Sequence, residues 1–175
     1  MILSFILTII TGFSRQETMK NNDTIITLIK KLNDTDSFSV LKLETILESN
    51  FFRVNDSDNA LDWLVPDQPS NIEKYELKKS KVYKELKSTI YEIRSIENNK
   101  KEHFLSVHLN NNAFIDFKTI QNTFGDNNKL ITQAANVPDD KRCNAVYEFK
   151  DKLITFGFPS CNNMKEISHF HILSK

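Results

Sequence analysis

The chain has 175 residues, 39% of them hydrophobic and thirteen of them Phe, enough for about one domain with a real core. Lys+Arg and Asp+Glu are equal at 23 each, a formal net charge of zero. That balance argues against a nucleic-acid partner, which needs a basic surface to release counterions from phosphates. Only three Gly occur, too few for phosphate-cradling loops.

Ile2 to Phe13 form an apolar run broken only by Ser4, Thr8, Thr11 and Gly12. It is too short for a membrane span, which needs about 20 residues. It suits the h-region of a signal peptide, with Gly12 and Ser14 as the small residues before a cleavage site. No Lys or Arg precedes the run, so only the amino terminus supplies positive charge there. The expected organisation is a signal peptide over residues 1–14, a flexible segment over 15–22 and one domain over 23–175. The implied location is periplasmic or secreted, with no stable membrane span in the mature chain.

Apolar residues at Ile25, Ile26, Leu28, Ile29 and Leu32 give one face of a helix, with Asn22 or Asp23 as N-cap. Ser37 or Ser39 starts a second helix through Val40, Leu41, Leu43, Ile46 and Leu47, ending near Asn50. Phe51 and Phe52 are expected to enter the core as that helix ends. Residues 55–71 read as a loop around Trp63. Asp56 and Asp58 in this loop lack the later Gly and Glu of a calcium-binding loop.

Over 75–96, helical spacing at Val82, Leu86, Ile90 and Ile93 competes with β-formers at Thr89, Tyr91 and Ile96. The expectation is helix or loop up to Lys87 and a strand from Ser88 to Ile96. The nearby Lys78, Lys79, Lys81, Lys84 and Lys87 alternate with Glu76 and Glu85, which reads as a solvated face. A strand follows over 103–109 and a helix over 115–124, with Gly125 as its C′ residue. Residues 130–138 are expected to be irregular, and a last strand to run from Glu166 to Leu173.

From Cys143 to Cys161, Ala145, Tyr147 and Phe149 alternate with polar residues, as do Ile154, Phe156 and Phe158 beyond Lys150-Asp151-Lys152. Two such runs around a polar turn predict a β-hairpin. If the cysteines sit opposite each other, the hairpin centres on Lys152, inside the turn that alternation proposes. Cys143 and Cys161 are therefore expected to be bonded, as an even cysteine count in an exported chain suggests. Closing such a loop stabilises a fold by about 3 kcal/mol in the chain-entropy model.

The fold class expected is α+β, short helices packed on an antiparallel sheet, with two α-β-β units in tandem. With that element order over residues 38–173, and the helix-ending Asn122-Thr-Phe-Gly-Asp126, the chain resembles the β-lactamase-inhibitory-protein fold and the small outer-membrane lipoprotein assembly factors. The lipobox of the lipoprotein members is absent. The resemblance implies a protein-binding role and carries over no catalytic residue.

Chemistry-bearing candidates are few. His169 and His171, two apart on a strand, would share a face and reach one metal ion if His103 or His108 supplied a third ligand. The alternative is that Ile167, His169, His171 and Leu173 form the half-exposed face of a terminal strand. No Walker loop, dinucleotide fingerprint or nucleophile elbow is present, so no cofactor is expected. The leading expectation is a non-enzymatic, exported protein-binding domain, an inhibitor or immunity-type protein that occludes an envelope-acting enzyme. A cell-envelope assembly component, or a small hydrolase using Cys143 or His169 and His171, is the alternative. Aromatic anchors for a partner would be drawn from Trp63, Tyr75, Tyr83 and Tyr91.

Overall fold

The computed structural model describes residues 24–54, 71–80, 82–96, 100–110, 115–133 and 142–174. The expected signal peptide, the segment 15–22 and Trp63 lie outside these residues. The first helix, α1, covers 24–33 and buries Ile25, Leu28, Ile29 and Leu32 completely, the stripe expected from their spacing. The second, α2 (Val40–Leu47), starts where Ser39 accepts a hydrogen bond from the Lys42 amide at 3.3 Å and stops at Glu48, in the left-handed conformation at φ 48°. The third, α3 (Phe117–Phe124), is capped by Asp116, which accepts from the Thr119 amide at 2.7 Å. Gly125 follows it at φ 87°, a conformation for which glycine is suited.

Eight strands form one antiparallel sheet beside these helices, so the fold is α+β. They are β1 (Phe51–Val54), β2 (Asn71–Leu77), β3 (Leu86–Ser95), β4 (Lys101–Leu109), β5 (Asn128–Gln133), β6 (Arg142–Glu148), β7 (Lys152–Phe158) and β8 (His169–Ser174). Their order across the sheet is β1-β2-β3-β4-β8-β7-β6-β5. After α1, the chain runs as two units, α2 and then α3 each followed by a four-strand meander, and the last strands of the two meanders pair at the centre, from His103↔Ser174 to His108↔His169. The tandem is therefore of α-β-β-β-β units, not the α-β-β units expected from sequence.

Burial alternates cleanly along the second half. Cys143, Ala145 and Tyr147 on β6, Ile154, Phe156 and Phe158 on β7, and Phe170 and Ile172 on β8 are buried, while their neighbours Asn144, Val146, Leu153, Thr155, His169 and His171 are half-buried. The buried set belongs to the core that also contains the inward residues of all three helices. Phe124 of α3 packs on Tyr147 and Phe156, and Phe117 meets the Phe158 ring edge-on. Lys152 also lies on this side. Its Nζ donates to the carbonyls of Asn33 and, at 2.5 Å, Thr35, so a buried ammonium satisfies carbonyls at the C-terminal end of α1. The helices thus cover one face of the sheet.

Several local expectations change. Phe51 and Phe52 begin edge strand β1 rather than closing a helix into the core; Phe51 packs partly against the core and Phe52 is exposed. The region 75–87, expected to be helix or loop, holds the end of β2 through Leu77 and the start of β3 from Leu86; the described residues between them form the loop. Ser80 Oγ ties that connection to α2 by donating to the Leu47 carbonyl at 3.0 Å. Asn128–Gln133, read as largely irregular, is β5, and the last strand begins at His169 rather than Glu166.

The cysteines are bonded, with Cα atoms 5.0 Å apart. The hairpin register nevertheless differs from the one that led to the bond. Cys143 pairs with Phe158, and Glu148 with Leu153, so the hairpin centres between Lys150 and Asp151. Cys161 lies beyond the ladder and returns to Cys143 from the segment after Phe158. The bond pins the exit of β7 instead of bridging two opposed ladder positions.

Candidate functional site

The other face of the sheet carries none of the described helices. One row of it crosses all eight strands as Phe52, Glu76, Ile90, Ser106, His171, Thr155, Val146 and Lys129. The adjacent row reads Ser88, His108, His169, Gly157, Asn144 and Ile131. Most of these side chains are half-buried or exposed, and the large hydrophobic groups Phe52 and Ile131 are 45% and 41% exposed at the two edge strands. Strand alternation produces this surface, because each inward core residue sends its neighbour outward.

Three imidazoles meet at its centre. His169 and His171 leave β8 on the same side, and the β4·β8 pairing sets His108 opposite His169. Ring centres are 4.8 Å apart for His169 and His171, 5.5 Å for His108 and His169, and 6.3 Å for His108 and His171. Gly157, the β7 partner of His169, makes this packing feasible, because a Cβ there would overlap the His169 ring. His169 Nδ1 lies 2.9 Å from Ser168 Oγ. His171 Nε2 is buried without a hydrogen-bond partner among the described residues. As the rings stand, no group of three or more His, Cys, Asp or Glu side chains among the described residues is disposed to hold a metal ion.

The surroundings disfavour imidazolium. Burial, then His108 and Arg142, lowers the His169 pKa to about 4. Burial, then His169, His108 and Arg94, lowers that of His171 to about 3. His108, the most open of the three, is lowered by partial desolvation and then by Lys87. Beside them Arg94 places two nitrogens on Glu92 Oε2, at 2.9 and 2.7 Å, and its guanidinium lies 4.2 Å from the centre of the Phe104 ring. Phe104 in turn meets the edge of His171 at 5.2 Å. The cluster is neutral at pH 7, bounded by a paired charge and an aromatic ring.

No protein family, curated protein or solved structure matches the chain.

Of the residues singled out in the sequence, His169, His171 and His108 come together, and His103 does not. His103 lies on the helix side, where its Nδ1 is 2.6 Å from the Tyr91 hydroxyl. Tyr91 and Tyr83 are buried, which removes both as anchors for a partner, and burial raises the pKa of each. Tyr75 is half-buried on the same side as Tyr91, its hydroxyl donating to Glu73 at 3.0 Å. Cys143 is bonded and so offers no thiolate for nucleophilic chemistry. Sequence reasoning missed the contribution of Phe104, Glu92 and Arg94, whose nearness to His171 depends on nonlocal pairing of β3, β4 and β8.

A second feature lies where β3 is bulged between Leu86 and Ser88. A groove of about 310 Å³ there is lined in part by Lys78, Lys79, Lys87 and Thr89. Its lysines come from the charge run, and all three are exposed. Among the described residues, no helix is long and apolar enough to cross a membrane.

Proposed function

We propose that this chain is an exported protein-binding domain of the inhibitor or immunity type, which occludes an envelope-acting enzyme with the helix-free face of its sheet. The observation that carries this reading is the surface just described: half-exposed apolar, aromatic and imidazole groups run across eight strands with no described helix over them. An open face that spans all eight strands suits a folded partner better than a small substrate, which is usually held in a concave pocket. The disulfide is compatible with an oxidising, exported location.

The test is affinity capture from periplasm and culture fluid with the full chain as bait. A stoichiometric enzyme partner is expected, together with loss of its activity on binding. The variants Phe52→Asp and Ile131→Lys change exposed positions at opposite edges of the face and should weaken capture. Recovery of no stoichiometric partner, or capture unchanged in the double variant, would overturn the assignment.

A further inference from the structure

The histidine cluster has a geometry set by the backbone. His169 and His171 share a face because they are two residues apart on β8, and His108 joins them because β4 pairs with β8 in that register. Two imidazoles bound to one tetrahedral ion, at metal–nitrogen distances of about 2.0–2.1 Å, have ring centres roughly 5 Å apart. The three separations here, 4.8, 5.5 and 6.3 Å, bracket that spacing.

The free nitrogens point to the same chemistry. Ser168 Oγ donates to the Gly157 carbonyl at 3.2 Å and therefore accepts from His169 Nδ1. In that assignment the proton sits on Nδ1, and Nε2 keeps its lone pair. A ligating histidine is usually oriented in this way, by a hydrogen bond from its other nitrogen. His171 supplies a second buried nitrogen, Nε2, that has no partner among the described residues.

We propose that His108, His169 and His171 form a binding site for one divalent d-block ion of the zinc class, with the fourth position open on the helix-free face. The donor atoms do not converge as the rings stand, so binding requires side-chain rotation, while the strands already hold the right spacing. His108 is exposed and has the most freedom to turn. An all-imidazole set suits zinc, copper or nickel and not magnesium or calcium, which prefer oxygen. Arg94 is neutralised by Glu92, whereas Lys87 and Arg142 add positive charge around the cluster, which favours an anion in the fourth position. This site is independent of the protein-binding reading above.

Equilibrium dialysis of the tag-free, chelator-stripped full chain against zinc tests it, with the visible spectrum of the cobalt(II) form as a second readout. One ion per chain and a tetrahedral cobalt spectrum are expected. His108→Ala and His169→Ala should each weaken binding by roughly tenfold or more. His103→Ala, on the opposite face, should leave binding unchanged. Absence of stoichiometric zinc binding overturns the proposal, as does binding that survives the loss of His108. Because His108 is exposed, His108→Ala keeps the test decisive even if His169→Ala fails to fold.

Discussion

On the helix side, Tyr91, Leu105, Ile172, Ile154 and Tyr147 cross five strands in one row, each at most 1% exposed. On the other side, the neighbouring row through His171 mixes Phe52, Glu76, Ser106, Thr155 and Lys129 with aliphatic groups and stays half open across much of its length. The same strands therefore supply a dry layer and a wet one. The dry layer accounts for stability, since burying apolar surface contributes about 25 cal/mol per Å². The wet layer gathers ionisable groups: three imidazoles without a carboxylate partner among the described residues, and a largely buried ion pair. Groups that add little to folding and are still gathered in one place are where function is best sought.

The largest expected effect belongs to the dry layer. Phe156 is fully buried and touches Phe124 and Tyr147, so Phe156→Ala should cost about 3–5 kcal/mol. Urea unfolding measures it. A loss below about 1 kcal/mol would mean that this layer is not the main core.

How far each layer was legible from the sequence follows from the same contrast. β6 and β7 were readable because Ala145, Tyr147, Ile154 and Phe156 are buried while their neighbours face outward, and that alternation is written in residue type. β2 and β5 were not. Asn71–Leu77 carries Glu73, Lys74 and Glu76 among its few apolar residues, and β5 is an edge strand whose Leu130 and Ile131 are both exposed. Where neither face is sealed, no period-two signal is imposed. The bond between Cys143 and Cys161 was legible even though its supporting register was not. A short segment beyond the ladder brings Cys161 back, and the alternation pattern is silent about that segment. The His169–His171 pair was visible as a spacing of two. Choosing His108 over His103 required the β4·β8 pairing, which joins residues about sixty apart in the chain.

Acid should separate the layers next. The folded pKa values of His169 and His171, about 4 and about 3, lie below the 6.5 of an unfolded chain. Between those limits the unfolded state binds more protons, so stability is full above pH 6.5 and is lost as pH falls, until each folded pKa is reached. Each histidine contributes a slope of about 1.4 kcal/mol per pH unit within its window. Urea midpoints of the metal-free chain at pH 7 and pH 5 should differ accordingly, and His171→Gln should flatten the dependence. An equal slope in wild type and variant would assign the acid sensitivity to other groups.

Gly157 connects the layers, because it lies on β7 between the buried Phe156 and Phe158 and supports the His169 ring on the other side. Gly157→Ala forces that ring away from its seat beside Ser168, a cost of about 1–3 kcal/mol. The His169 ring resonances in a nuclear magnetic resonance spectrum should shift with it. An unchanged His169 environment would show that the ring does not rest on Gly157 in solution.

The smallest expected effect on stability is also the most informative about partner binding. Ile131 sits on edge strand β5, 41% exposed, with its side chain on the helix-free face. Replacing it with Lys removes little buried area and adds a charge of the kind that protects exposed strand edges. The unfolding free energy should therefore stay within about 0.5 kcal/mol of wild type. If the open face is the contact surface, the same substitution should weaken capture of the partner enzyme far more than it changes folding, because a charge would then be buried against the partner without a counterion. Matched losses in folding and capture would instead place Ile131 in the structural layer. The two sides of the sheet would then not divide stability from function at this edge.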